Sequence, residues 1–167
     1  MTGLKTVVIL FAGFSAIAES MAAQVPVRVA PAHLQGPRSL EEQTQAAVIR
    51  DYLQAWQGFH AALEQNRPEL LEGEFVGTAR DRLADTIQQQ GKLGIRTRYQ
   101  DRSHNVQITC YTPDGLSIEL TDNVEYDVQL IEHEKLLTTQ RERARYVVVL
   151  TPAEVRWKVR VFQSVPE

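Results

Sequence analysis

One cysteine, Cys110, stands in the 167 residues. A single thiol builds no disulfide within the chain, so a packed core must hold the fold. In VQITCY it is in phase with Val106 and Ile108 and reads as a small buried hydrophobe. A nucleophilic thiolate would need a nearby base and a lowered pKa, and the sequence shows neither beside it. Strong charge of one sign is also missing. The formal net charge is -3, which disfavours a broad nucleic-acid or anionic-membrane surface. The four histidines, His33, His60, His104 and His133, lack the spacing of a zinc helix or finger. Gly91 and Gly94 come without the helix start and lysine–hydroxyl pair of a phosphate-binding loop, and no serine hydrolase elbow occurs. No metal and no cofactor is expected.

The chain also has no apolar run of the roughly 20 residues that a bilayer span needs. The longest extends from Val7 to Ala18, behind the single charge Lys5 and ahead of the small residues Ala16-Ile17-Ala18 and Met21-Ala22-Ala23. That order is the order of a secretory signal peptide over residues 1–23, with cleavage expected after Ala18 or Ala23. Export to the periplasm or medium follows. The alternatives are an uncleaved anchor over residues 4–23, which would place the protein on a membrane, and a buried first helix. Residues 24–38 hold three prolines and one glycine and read as an extended linker or an arm laid on the domain.

What is present is ordinary for a soluble domain: 43% hydrophobic and 23% charged residues. A single domain is expected over 39–165. Its clearest helix begins near Ser39, with Glu42 at capping-box spacing. Val48, Tyr52, Ala55, Trp56, Phe59, Ala62 and Leu63 recur at steps of three and four and form one apolar stripe. Asp51, Gln54, Gln57 and Glu64 lie off the stripe, Gly58 inside it and His60 beside it. PELLEGEF gives a short helix behind Pro68, and Thr78 can cap a third, packed through Leu83 and Ile87 and ended by Gly91 and Gly94.

From Ile95 the period becomes two, predicting four antiparallel strands near 96–111, 117–130, 139–150 and 155–165. A turn with Gly115 in the left-handed region sets Ile108 against Leu120, Val106 against Asp122 and Cys110 against Ile118. The second turn region sets Glu125 against Arg143 and Asp127 against Arg141. A last loop over Thr151–Glu154 pairs Leu150 with Val155, Val148 with Trp157, Tyr146 with Val159 and Ala144 with Val161. The outer face then carries Arg141, Arg143, Arg145, Arg156, Lys158 and Arg160. It reads as a solvated charge-laced face or, less simply, as a surface for an acidic partner.

Helices followed by a curved antiparallel sheet make an α+β pattern. Through RYVVVLTPAEVRWKVRVFQ, with Trp157-Lys158-Val159 as an aromatic-basic-apolar closing strand, the chain resembles the NTF2-like superfamily over about residues 39–165. The resemblance implies a cone in which the helices close one side of the sheet, often around a cavity. The inner residues would be Val106, Val124, Val159 and Phe59, with Tyr52, Trp56, Tyr126, Tyr146 and Trp157 as candidate ligand-binding residues. It includes isomerases, cyclases, dehydratases, transport factors and secretion-system components, so the fold alone leaves the function open.

Asp122 is the anomaly. It shares the even phase of Ile118, Leu120, Val124, Tyr126 and Val128, an apolar face. His104 falls on the same face, diagonal to it. An Asp122–His104 pair in an apolar cleft could act as a general base and its orienter, with a tyrosine stabilising an oxyanion. The plainer readings are a bulge at Thr121-Asp122-Asn123 that turns the carboxylate to solvent, or binding without turnover. A non-catalytic binding or assembly domain is expected, with a small-molecule isomerase, cyclase or dehydratase as the alternative. The expected partner classes are a small apolar ligand, another protein or a second copy of the chain, and not nucleic acid.

Overall fold

A computed structural model describes residues 24–34, 36 and 38–165. The leader expected over residues 1–23 lies outside them. Strand β1 (Val27–Val29) comes first, from the stretch read as linker or arm. Helices α1 (Glu42–Gln65) and α2 (Gly77–Lys92) follow, separated by a 3₁₀ turn at Pro68–Leu71. The long strands are β2 (Ile95–Tyr111), β3 (Ile118–Glu132), β4 (Lys135–Pro152) and β5 (Trp157–Val165). No helix among the described residues is long and apolar enough to cross a membrane.

The apolar stripe of α1 is buried as expected, from Val48 to Leu63. Its start is not. The N-cap is Glu41 without a side-chain hydrogen bond, so Ser39 forms no capping box. Arg38 instead ties this entry to the β2–β3 loop, donating to the Pro113 carbonyl at 2.9 Å and lying over the Tyr111 ring. Thr78 is likewise inside α2, behind Val76 as N-cap. Gly58 faces the 3₁₀ turn with room for no more than a small side chain. A Cβ there would lie 3.4 Å from the Glu74 carboxylate and 3.6 Å from the Leu70 carbonyl. Asp51, expected off the stripe, is buried. Its Oδ2 accepts the Trp157 backbone N–H at 2.8 Å and so holds the start of β5.

The sheet runs β1-β2-β3-β4-β5, with β1 parallel to β2 and every other pair antiparallel. Five strands therefore replace the four expected, because the N-terminal arm adds an edge. Val106 pairs with Asp122 and Ile108 with Leu120, as the pattern predicts. A bulge between Ile108 and Cys110 then sets Tyr111, not Cys110, opposite Ile118. Tyr111 is buried and Cys110 only partly so. Glu125 faces Arg143 and Asp127 faces Arg141, again as expected, and Arg102 donates to Asp127 as well. These pairs make the outer face a solvated, charge-laced one.

The β4–β5 register differs from the local reading. Val148 pairs with Phe162, Tyr146 with Ser164, Leu150 with Val159 and Pro152 with Trp157. Val155 is outside the strand and 85% exposed. The reason is tertiary. Val159 donates to the Glu74 carbonyl and accepts from the Val76 N–H, while Asp51 holds Trp157. Those bonds fix β5 several residues from the position that a short hairpin loop would choose. Arg156 and Lys158 consequently reach Glu74 and the Glu72 carbonyl and are not part of the basic stripe.

Trp157 is thus half-buried, its ring meeting Tyr111 at 6.5 Å. Trp157→Ala is expected to cost about 1–3 kcal/mol, within the ordinary range for single substitutions. Chemical denaturation against wild type checks it, and a loss above that of Trp56→Ala would contradict this placement.

Candidate functional site

Why β3 carries an aspartate inward is answered by its partners. The alternation of β3 is unbroken at Thr121–Asn123, with no bulge there, and Asp122 is fully buried. Each carboxylate oxygen is engaged. Oδ2 accepts the Tyr52 hydroxyl at 2.8 Å and lies 2.6 Å from His104 Nδ1; Oδ1 accepts the Asn105 backbone N–H at 3.0 Å. The donors come from α1 and β2, so one side chain of β3 ties helix and sheet together. A buried charge persists only when paired and hydrogen-bonded in this way.

A second carboxylate completes the cluster. A bulge at Arg102, between Asp101 and Ser103, lets Asp101 and His104 both point inward from β2. Asp101 Oδ2 accepts the Trp56 indole N–H at 3.0 Å and lies 3.7 Å from both His104 Nε2 and His60 Nδ1. At 3.7 Å neither is a hydrogen bond, and only the contact to a protonated His104 is ionic. Burial disfavours an imidazolium at His104, but Asp101 and Asp122 outweigh it and push the group up to about 9. At His60 burial outweighs the opposing pull of Asp101 and Glu64, and pushes the group down to about 4. Burial works to raise Asp101, but His104, His60 and the Trp56 N–H hold it below the usual carboxylate range. The Tyr52 hydroxyl is pushed up by burial and then by Asp122, so it remains a donor.

Of the residues expected in a site, Tyr52, Trp56, His104, Asp122, Tyr126 and Tyr146 do meet in one interior cluster. The Trp56 ring lies 5.3 Å from His104, 5.0 Å from Tyr146 and 6.3 Å from Tyr126. Trp157 is not with them. Sequence reasoning missed four members. Phe162 stacks on Tyr146 at 4.9 Å and was lost to the β5 register. Asp101 was hidden by the Arg102 bulge. Tyr99 and His60 stack at 4.6 Å. The i,i+4 spacing of Trp56 and His60 on α1 was the one signal for His60. Among the described residues, no three His, Cys, Asp or Glu side chains are placed to hold a metal ion.

The cluster is poorly suited to proton abstraction. A general base needs a free lone pair within reach of substrate. His104 is protonated at neutral pH, between two carboxyl groups, and Asp122 is sealed beneath Tyr52. The cone is filled, with Tyr52, Trp56, Leu71, Phe75, Val106 and Val124 all below 2–3% exposed, roughly the packing of an interior. Solvent-lined space remains between α1 and the N-terminal arm and at the open end of the sheet. There Tyr126, Val128 and Leu130 of β3 lie opposite Glu142, Gln140 and Thr138 of β4, and with Thr97 and Tyr99 they line a groove of about 290 Å³.

The network makes stability depend on pH. The folded pKa of His104 is above its unfolded value near 6.5, so its contribution is full below about pH 6.5 and is lost as pH rises through about 9. That loss is on the order of 3 kcal/mol. His60, depressed to about 4, works in the opposite sense, and stability falls as pH drops below about 6.5. Thermal melts from pH 4 to 10 should peak at about pH 6 to 7. His104→Gln should flatten the alkaline arm, and an unchanged arm would contradict the assigned charge.

No family model and no curated protein matches the sequence. Solved structures do match in shape. The intermembrane space region of the chloroplast protein ARC6 has a TM-score of 0.63 at 15% identity, covering 78% of this chain and 100% of that one. A scytalone dehydratase candidate from Novosphingobium aromaticivorans has 0.53 at 16%, covering 75% and 89%. A protein of Catenulispora acidiphila, solved in complex with S-DNPA, has 0.50 at 14%, covering 72% and 93%. At such identities the likeness concerns the fold alone. Two helices on a five-stranded, mostly antiparallel sheet, with these neighbours, are an NTF2-like α+β fold.

Proposed function

We propose that this is an exported domain that binds or assembles without turning over a substrate. One observation carries the reading: the Asp122 carboxylate is fully buried, with both oxygens engaged by Tyr52, His104 and Asn105. A carboxylate so used is a strut between α1, β2 and β3. The enzyme alternative needs an open base, and neither group offers one. The leader-like order of residues 1–23 supports export.

The surface that fits binding is the open end of the cone. Its inner face passes from buried Tyr126 to half-covered Val128 and exposed Leu130, and Leu136 and Leu137 stand 51% and 48% exposed near the β3–β4 turn. An apolar wall with the Tyr99 hydroxyl and Glu142 beside it suits a small apolar ligand or an apolar protein segment.

Native mass spectrometry of the wild type with a mixed small-molecule library tests this. The expected result is retained ligand of unchanged mass, or a stable dimer, with no product mass appearing over time. Leu130→Lys should remove retention or dimer while changing stability by no more than about 0.5 kcal/mol, the surface range. A product mass would overturn the reading, as would a monomer that retains nothing.

A further inference from the structure

On the β2 edge, β1 and the residues before it lie across the buried network. The His104 N–H donates to the Pro26 carbonyl at 3.0 Å, and Ala30 N–H donates to Val106 at 2.9 Å. Between this arm and α1 is a cavity of about 360 Å³. Val25, Leu53 and Trp56 give it apolar walls, and Asp101, His104 and Gln24 also line it. It shares no lining residue with the groove at the open end of the cone.

Its charge is unbalanced. The single imidazolium of His104 faces two carboxyl groups, Asp101 and Asp122, and His60 beside them is neutral at ordinary pH. No lysine or arginine among the described residues lines the cavity. Asp101 Oδ1 has no hydrogen-bond donor, and it is one of two buried side-chain atoms in that condition among the described residues. The other, His60 Nε2, belongs to the same cluster. A carboxylate short of a donor, an indole next to it and apolar walls are the groups that recognise a cation with N–H bonds.

We propose that the cavity between β1 and α1 is a binding site for an ammonium group on a compact apolar body, with Asp101 as its anionic partner. Two sources share that chemistry. One is a free primary alkylamine. The other is the chain's own α-amine, should the leader be removed between Ala23 and Gln24. Gln24 lies three residues ahead of Val27, which pairs with His104, and it lines the cavity together with Asp101. Cleavage at that bond would create an ammonium at the rim of the site.

The test follows the Trp56 indole N–H, which donates to Asp101, by NMR in the full-length protein. Trp157→Phe assigns the signal. Titration with n-butylammonium chloride should shift it saturably, and n-butanol at equal concentration should not. Asp101→Asn should weaken binding by about tenfold or more. Should that variant fail to fold, Gln57→Lys serves, because Gln57 is exposed and lines the cavity. A lysine there places a cation in the site and should block butylammonium at unchanged melting temperature. Equal response to butanol, a shift that never saturates, or unchanged binding in both variants would overturn the proposal. Protein processed to begin at Gln24 distinguishes the sources. Suppose the α-amine is the occupant. Butylammonium is then excluded until glutaminyl cyclase acts, the α-nitrogen attacking the side-chain carboxamide carbon with loss of ammonia and of the charge. Suppose the occupant is a free amine. The processed protein then binds butylammonium before and after cyclisation.

Discussion

Asp122→Ala should destabilise the domain by about 3–5 kcal/mol, the cost of breaking a buried ion pair from one side. Removing the carboxylate strands the buried His104 Nδ1 and Tyr52 hydroxyl together, and takes the acceptor from the Asn105 N–H as well. His104 would lose its shortest partner, and its pKa should fall as the imidazolium gives way to the neutral ring. Asp122→Asn keeps the shape and one acceptor, so its loss should be smaller, about 1–3 kcal/mol. Urea denaturation of both variants measures these values, and the alkaline decline in stability should weaken in each. A catalytic or ligand-holding carboxylate would behave differently, with Asn sparing stability and abolishing capture. A residue at a solvated rim would be silent in both assays. A loss under about 0.5 kcal/mol for Asp122→Ala would remove the strut from the account.

Trp56→Ala should be comparably severe, with a cost of about 3–5 kcal/mol for a buried tryptophan. Trp56 is 1% exposed and touches the rings of Tyr52, Phe59, His60, His104, Tyr126, Tyr146 and Phe162. It joins the aromatic cluster to the carboxylate network, because its indole N–H supplies Asp101. Truncation therefore leaves a cavity and removes a donor from a buried acid at once. Trp56→Phe separates the two effects. It fills most of the space and supplies no N–H, so a remaining loss of about 1–3 kcal/mol would belong to Asp101. Near-UV circular dichroism should collapse in Trp56→Ala and persist in Trp157→Ala. A cost for Trp56→Ala no larger than that for Trp157→Ala would mean that the core is centred elsewhere.

The periodicities of the chain by themselves determined the layers. The three-and-four stripe from Val48 to Leu63 fixed the buried face of α1, and the alternation from Ile118 to Val128 fixed the inner face of β3. Those patterns are local, since a helix or strand repeats its own geometry along its length. They also placed Asp122 and His104 on one face, because the β2–β3 hairpin is short and its register follows from the turn. Tertiary structure alone decided the rest. Four register shifts, at Arg102, near Cys110, between Leu130 and Ile131 and near Leu150, change which residues face inward, and a bulge leaves no fixed mark in composition. The position of β5 came from Asp51 and Glu74 on other elements. The arm became a strand because β2 offered an edge, which residues 24–38 do not encode. Whether Asp122 served chemistry or support depended on what lay above it, and the Tyr52 hydroxyl that seals it is 70 residues away in the chain. Burial and hydrogen-bond saturation are properties of the packed whole, and no single segment carries them.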